Sequence, residues 1–191
     1  EAFWCRLIEG VRDANVVICL DFGHGLLRCA ERQMLPAWSE RFFEVNAQTN
    51  AANYGFNPVT KYERADLVCV DVPEARLALG EQERGATDVL AVNLARKMNA
   101  QSVIVTQGKH GAAFWHKSAG SIPAFSSRAI DTMGAGDAFL AVTAPLVAAG
   151  LDLEAAAFVG NVAGAIKTDI VGHRWHVGRD ELLQAVEALL K

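Results

Sequence analysis

The sequence predicts an α/β fold in three layers, with a mostly parallel sheet between two layers of helices. Three observations carry this reading. Residues 16–20, 67–70 and 102–106 are short runs dominated by apolar and β-branched residues, and each stops at or just before a polar residue, Asp21, Asp71 or Gln107. Runs of this length suit strands buried on both faces of a parallel sheet. Segments of helical period separate them, and strands alternating with helices imply right-handed crossovers. Finally, 191 residues at 51 % hydrophobic and 21 % charged supply enough apolar side chains for one core, so residues 1–191 are expected to form one domain.

Taken in order, Phe3, Leu7 and Val11 recur at helical spacing and predict a helix over 2–13, stopped by Asn15. A buried strand follows at 16–20. The turn Phe22-Gly23-His24-Gly25 leads to a helix over 28–41, then a short strand at 43–45 ending at Asn46. Residues 47–61, rich in Asn with Gly55 and Pro58, form a long loop of the kind that is often functional. The strand at 67–70 ends at Asp71, and Pro73 suits the first turn of the next helix. Thr87 is expected to cap a helix over 88–99. The strand at 102–106 leads through Gly108-Lys109-His110-Gly111 into a hairpin with strands at 112–116 and 121–125. Helices close the chain at about 135–149, 153–168 and 179–190.

Composition excludes several classes. The net charge is −4, and no basic run is interleaved with aromatics, which argues against nucleic acid. No apolar run is long enough to span a bilayer. Cys5, Cys19, Cys29 and Cys69 are far apart without a C-x-x-C pair, so they read as reduced packing residues of a cytoplasmic protein. Trp4, Trp38, Trp115 and Trp175 also read as packing residues.

The residues that carry chemistry stand at strand ends and at one helix start. Ligands in open α/β sheets bind beyond the carboxyl ends of the strands. Asp21, Asn46, Asp71 and Gln107 are all expected there. The strongest local signal is Asp131-Thr132-Met133-Gly134-Ala135-Gly136-Asp137 ahead of an apolar helix. The first amides of a helix lack intrahelical partners, glycines let an anion approach them, and the helix dipole adds positive charge. That is a cradle for a transferring phosphoryl group. A carboxylate in the same turn, Asp137, is placed to accept a proton from an attacking hydroxyl. On spacing alone a glycine-rich turn with a helix-favouring acid is an equal reading.

The segment 131–137 closely resembles the D-T-x-G-A-G-D signature of the ribokinase-like (PfkB) carbohydrate kinases. The run V-I-V-T-Q-G-K-H-G-A-A-F at 103–114 is similar to that family's nucleotide-side strand and hairpin, T-x-G-x-x-G. Asp71-Val72-Pro73-Glu74 falls where the family carries N-x-x-E, and Asn161 where it has a residue near the adenine. The resemblance implies a ribokinase-like fold and Mg²⁺-dependent transfer from ATP to a hydroxyl of a sugar or sugar-like substrate. Asp137 is then the base, and the amides of Gly134, Ala135 and Gly136 form the anion hole. Thr106, Gly108 and Gly111 line the ATP site, with Asn161 at its adenine end. Glu74, with Asp71, helps organise Mg²⁺, and Asp131 shapes a loop that in many relatives holds a monovalent cation such as K⁺. Asn46 lies where some relatives have a polar or basic residue near the phosphates. Asp21 to Gly25 is similar to the D-Y-x-K-G segment of the heptose-phosphate kinase branch, with His24 in place of lysine.

Two departures qualify the resemblance. Asp71 replaces the asparagine of N-x-x-E, which retains an oxygen ligand and adds charge. The family's additional N-terminal segment, which supplies several strands, the lid and most sugar contacts, is not found in this chain. The expectation is therefore the C-terminal part of a kinase domain, with an exposed sheet edge. Homodimer formation stays open, because the lid often makes the relatives' dimer. A competing reading is a nucleotide-binding domain without catalysis; a dinucleotide-binding oxidoreductase is disfavoured by the lack of G-x-G-x-x-G after a first strand.

Overall fold

The computed structural model describes residues 2–27, 41–81, 85–125 and 129–191. The helix expected over 28–41, with Cys29 and Trp38, falls outside them save for residue 41. Helix α1 spans Ala2–Asp13 and leads into strand β1, Val16–Asp21. Strands β2 (Phe42–Ala47) and β3 (Leu67–Asp71) follow, and helix α2 (Val72–Leu79) starts directly on β3. Helix α3 (Thr87–Met98) returns the chain to β4 (Ser102–Thr106). Strands β5 (Ala112–Trp115) and β6 (Ala119–Ile122) make the hairpin, and helices α4 (Ala135–Ala148), α5 (Leu153–Thr168) and α6 (Arg179–Leu189) end the chain.

Among the described residues, six strands form one sheet in the order β1 to β6. Strands β1 to β4 run parallel, and β4, β5 and β6 pair antiparallel. Alternate residues therefore serve two cores. Phe43, Val45, Val68, Val70, Val103 and Val105 pack against Val11 of α1, Ala75 of α2 and the Leu90–Leu94 face of α3. Leu67, Cys69, Ile104 and Phe114 pack against Phe139, Leu140 and Ala144 of α4 and Ala157 of α5. The three predicted layers are present, and the sheet is mostly parallel, as expected of the α/β class.

Four local expectations are corrected. Strand β1 is not buried on both faces: it lies at the sheet's edge, and Ile18 and Leu20 are 36 % and 40 % exposed while Cys19 and Asp21 are buried. The last strand starts two residues earlier than expected and ends three earlier. A tight turn, in which His116 N donates to Ser118 O, starts pairing at Ala119, and Pro123, lacking an N–H, follows its end. Thr87 is the first residue of α3, not its cap; Ala86 holds the cap position, and Thr87 Oγ1 donates to Gln107 Oε1 at 3.0 Å. Trp175 does not pack: it is 71 % exposed.

Two packing features carry energetic consequences. Helices α4 and α5 meet at Gly160, where a Cβ would lie 2.1 Å from Thr143 Oγ1 and 2.9 Å from the Phe139 ring. Only a bare backbone allows that approach. On β2, Glu44 is fully buried beside Leu67, and among the described residues neither carboxylate oxygen has a hydrogen-bond partner. Burial pushes its carboxyl well above the ordinary value, so it is held neutral.

Gly160→Ala should lower stability by about 1–3 kcal/mol through overpacking, read as a reduced denaturant midpoint at unchanged slope. Because the folded-state pKa of Glu44 is raised, the stability it allows is fully present below the unfolded value and is lost as pH rises toward the folded one. Glu44→Gln should therefore gain on the wild type above the ordinary value of 4.5. The gap should widen by at most about 1.4 kcal/mol per pH unit. Parallel denaturation series across pH would show this, and parallel curves would refute the neutral-acid assignment.

Candidate active site

The parallel strands deliver their carboxyl ends to one edge. There the pairing of β2 with β3 stops at Val45–Val68, while β3 stays paired with β4 through Asp71–Thr106. A crevice opens between β2 and β3 as a result. Asn46 spans it, its Nδ2 donating to Cys69 O at 2.8 Å. Thr49 N reaches across to Glu74 Oε1 at 3.0 Å.

Asp71 and Glu74 close the start of α2 as a reciprocal capping box. Asp71 Oδ1 accepts from Glu74 N at 2.8 Å, and Glu74 Oε2 accepts from Asp71 N at 2.9 Å. Both oxygens of Glu74 thus hold backbone amides. Burial raises both carboxyls above their ordinary values, partly offset by those amide bonds. Among the described residues neither is paired with a lysine or arginine. Two desolvated acids in one crevice suit a cation, which for Glu74 would be met through the cation's water shell.

Opposite them stands the start of α4. Gly134 caps it at φ 76°, in the left-handed region that favours glycine. The amide of Ala135 turns back to Thr132 O at 3.2 Å, and Ala138 N donates to Gly134 O at 2.9 Å. The amides of Gly136 and Asp137 have no protein acceptor among the described residues. Of the three amides expected at the anion hole, that of Ala135 is therefore engaged, while those of Gly134 and Gly136 have no acceptor among the described residues. The Asp137 side chain is exposed and unpaired among the described residues.

These groups share one cavity of about 540 Å³, lined by Asn46, Asp71, Glu74, Thr106, Gly108, Gly111, Ala135, Gly136, Asp137 and Asn161. Asn161, on α5, is tied by its Nδ2 to Pro123 O at 3.2 Å, and Thr106 Oγ1 donates to Val70 O at 3.4 Å. Gly134 and Asp131 stand behind this lining rather than in it. Asp131 Oδ1 accepts from Met133 N at 2.9 Å and Oδ2 from Gly172 N at 2.7 Å, bonds that hold its carboxyl below the usual range. Among the described residues, no cluster of three or more His, Cys, Asp or Glu side chains is arranged to hold a metal.

The cavity also holds residues that sequence reasoning left aside. Lys109 lines it from inside the Gly108–Gly111 turn, where its position in the hairpin motif was a usable signal. The Asn-rich loop is a scaffold. Asn53 Nδ2 donates to Phe22 O and Gln48 O, and Asn57 Nδ2 to Asp21 O and Gln48 O. Asp21 does not line the cavity. Its Oδ2 pairs with Lys61 Nζ at 2.5 Å and accepts from Tyr62 OH at 2.6 Å. Burial pushes the Asp21 carboxyl up, but bonds from Lys61, Tyr62 and Gly23 N outweigh it and hold the group below its ordinary value. His24 rests near the Phe22 ring, with centroids 6.2 Å apart.

The family model described as pfkB family carbohydrate kinase matches residues 58–173. The bifunctional protein HldE of Pseudomonas savastanoi pv. phaseolicola is 26 % identical over 184 residues, covering 95 % of this chain. That of Gluconobacter oxydans is 28 % identical over 192 residues, again 95 % of this chain. The chain spans 37 % and 38 % of the length of these two relatives. Among solved structures, phosphofructokinase-2 from Escherichia coli in complex with potassium superposes with a TM-score of 0.82 at 17 % identity, over 100 % of this chain and 63 % of that one. Ribokinase from Thermotoga maritima gives 0.72 at 20 % identity, over 94 % and 59 %. At these identities the structural likeness speaks for the fold.

Gly134→Ala should cost about 1–2 kcal/mol from the left-handed backbone alone. Gly136→Ala, inside α4 and with a Cβ that meets nothing within 4 Å, should be neutral or stabilise by about 0.4–1 kcal/mol. Equal losses in thermal denaturation would show that Gly134 is not conformationally required.

Proposed function

Because the chain belongs to the pfkB family of carbohydrate kinases, we propose that it transfers the γ-phosphoryl group of ATP to a hydroxyl of a sugar or sugar-like substrate, with Asp137 as the base. One observation carries this reading. An exposed carboxylate, two partnerless helix-start amides and a desolvated acid pair meet in a single cavity, although they come from opposite sides of the sheet edge.

The substrate oxygen attacks the γ-phosphorus, its proton passes to the Asp137 carboxylate, and the bond to ADP breaks. Asp137 is suited to this because it has no competing partner and stands in the same turn as the amides that meet the phosphoryl oxygens. Those amides are Gly136 and Asp137, with Gly134 setting their direction. The helix dipole of α4 adds positive charge where negative charge develops. In phosphoryl transfer most of the protein's work is such positioning and charge stabilisation.

The nucleotide side is assigned to Thr106, Gly108, Gly111 and Lys109, with Asn161 at the adenine end. Asp71 and Glu74 are the residues that would hold Mg²⁺, Asp71 directly and Glu74 through water. Bound there, Mg²⁺ neutralises phosphate charge and orients the phosphates. Asn46 sits at the mouth of the β2–β3 crevice, between this acid pair and the Asp21 loop. The similarity to the heptose-phosphate kinase branch and the alignment with bifunctional HldE proteins support placing sugar phosphates first in a substrate panel.

Calorimetric titration with Mg·ATP followed by transfer assays over that panel tests the reading. The wild type should bind and transfer. Asp137→Asn should keep nucleotide affinity within a few-fold while turnover falls about 10²–10⁴-fold. Unchanged turnover in Asp137→Asn would remove it from the role, and binding without transfer by the wild type would favour a non-catalytic nucleotide-binding domain.

A further inference from the structure

Lys167, in the last turn of α5, is a buried cation that the proposed mechanism leaves unused. It is 6 % exposed. Its Nζ donates to Gly172 O at 2.8 Å and to Ile170 O at 3.4 Å. A Cβ built on Gly134 would lie 3.3 Å from Lys167 Cε and 3.9 Å from Nζ. The same loop meets the signature segment from the other side. Ile130 N and Asp131 N both donate to Thr168 O, and Gly172 N donates to Asp131 Oδ2. The positive charge of Lys167 acts on Asp131 and helps hold its carboxyl down.

Burying an ammonium is costly unless oxygen atoms surround it. Here those atoms are carbonyls just beyond a helix C-terminus, where the dipole favours a cation. Peptide carbonyls next to a carboxylate are also what a desolvated monovalent cation requires. In this chain two of the carbonyls are already bound to an ammonium, and a second cation would meet its charge at close range. The residues therefore do not fit the K⁺ ion that the resemblance implies beside the Asp131 loop, which packs on these carbonyls through the Gly172 N to Asp131 Oδ2 bond.

We propose that Lys167 is a tethered replacement for a soluble monovalent cation. Its fixed charge sits behind Gly134, steadies the turn that presents the Gly136 and Asp137 amides, and makes nucleotide binding and transfer independent of K⁺. Lys167 is a positioning residue, because it touches the turn and not the reacting atoms. The inference rests on the reading of that turn as a phosphoryl site.

The test uses the full chain in buffers of equal ionic strength containing either K⁺ or tetramethylammonium. ²⁰⁵Tl⁺ serves as an NMR probe of monovalent-cation binding, alongside Mg·ATP affinity and turnover. The wild type should show no saturable Tl⁺ site and the same affinity and turnover in both buffers. Lys167→Ala should acquire a Tl⁺ site, lose at least about tenfold in turnover in tetramethylammonium, and recover part of it in K⁺. A purely structural lysine would show no such rescue. Lys167→Gln keeps a donor for the carbonyls without the charge and takes the place of Lys167→Ala if that variant does not fold; it should lose turnover in both buffers. Saturable Tl⁺ binding to the wild type, K⁺ activation of the wild type, wild-type turnover in Lys167→Gln, or no Tl⁺ site in a folded Lys167→Ala would each overturn the proposal. If the wild type binds no nucleotide in either buffer, the kinase reading fails, and the Tl⁺ titrations still decide whether Lys167 holds a cation site.

Discussion

Parallel pairing of β1 to β4 is the constraint on which the rest depends. Parallel neighbours cannot be joined by tight hairpins, and all four strands end on the same side. Asp21, Asn46, Asp71 and the Gln107 turn reach one edge for that reason and not through any local preference. The N-terminus of α4 then faces an edge already lined by carboxylates and amides. The early end of β2–β3 pairing turns that edge into a crevice.

The site is built by satisfying backbone groups and leaving a few unsatisfied. Glu74 uses both oxygens to hold the Thr49 and Asp71 amides. Asn46, Asn53 and Asn57 donate to backbone carbonyls of Cys69 in β3, Phe22 in the loop after β1 and Asp21 at the end of β1, tying the strand ends to the loops. Against this background the Gly136 and Asp137 amides stand out, because the helix start gives them no acceptor. A rigid surround with a small unsatisfied patch is the arrangement expected of a site organised for developing charge.

Two buried ionisable groups show opposite solutions to desolvation. Glu44 has no partner among the described residues and is held neutral. Lys167 has carbonyl partners at Ile170 and Gly172, and the Gly172 amide in turn donates to Asp131, so a charge is tolerated there. The first is a cost to the fold at higher pH. The second puts a cation where the phosphoryl turn can use it.

By itself the sequence determined the elements whose information is local: apolar runs for β2 to β4, helical periodicity for α3 to α6, and the glycine turn with Asp137. Asp71 and Glu74 stood out through the family resemblance, and their reciprocal capping bonds are a finding of the structure. Local pattern failed where environment decides. The Asn-rich loop reads as turn-forming residues, yet Asn53 and Asn57 bridge to Phe22 and Asp21, more than thirty positions away. Lys167 reads as an ordinary basic residue in a helix's last turn. Only tertiary structure, by folding the 168–172 loop against Asp131 and Gly134, decided that its charge would be buried behind the phosphoryl turn.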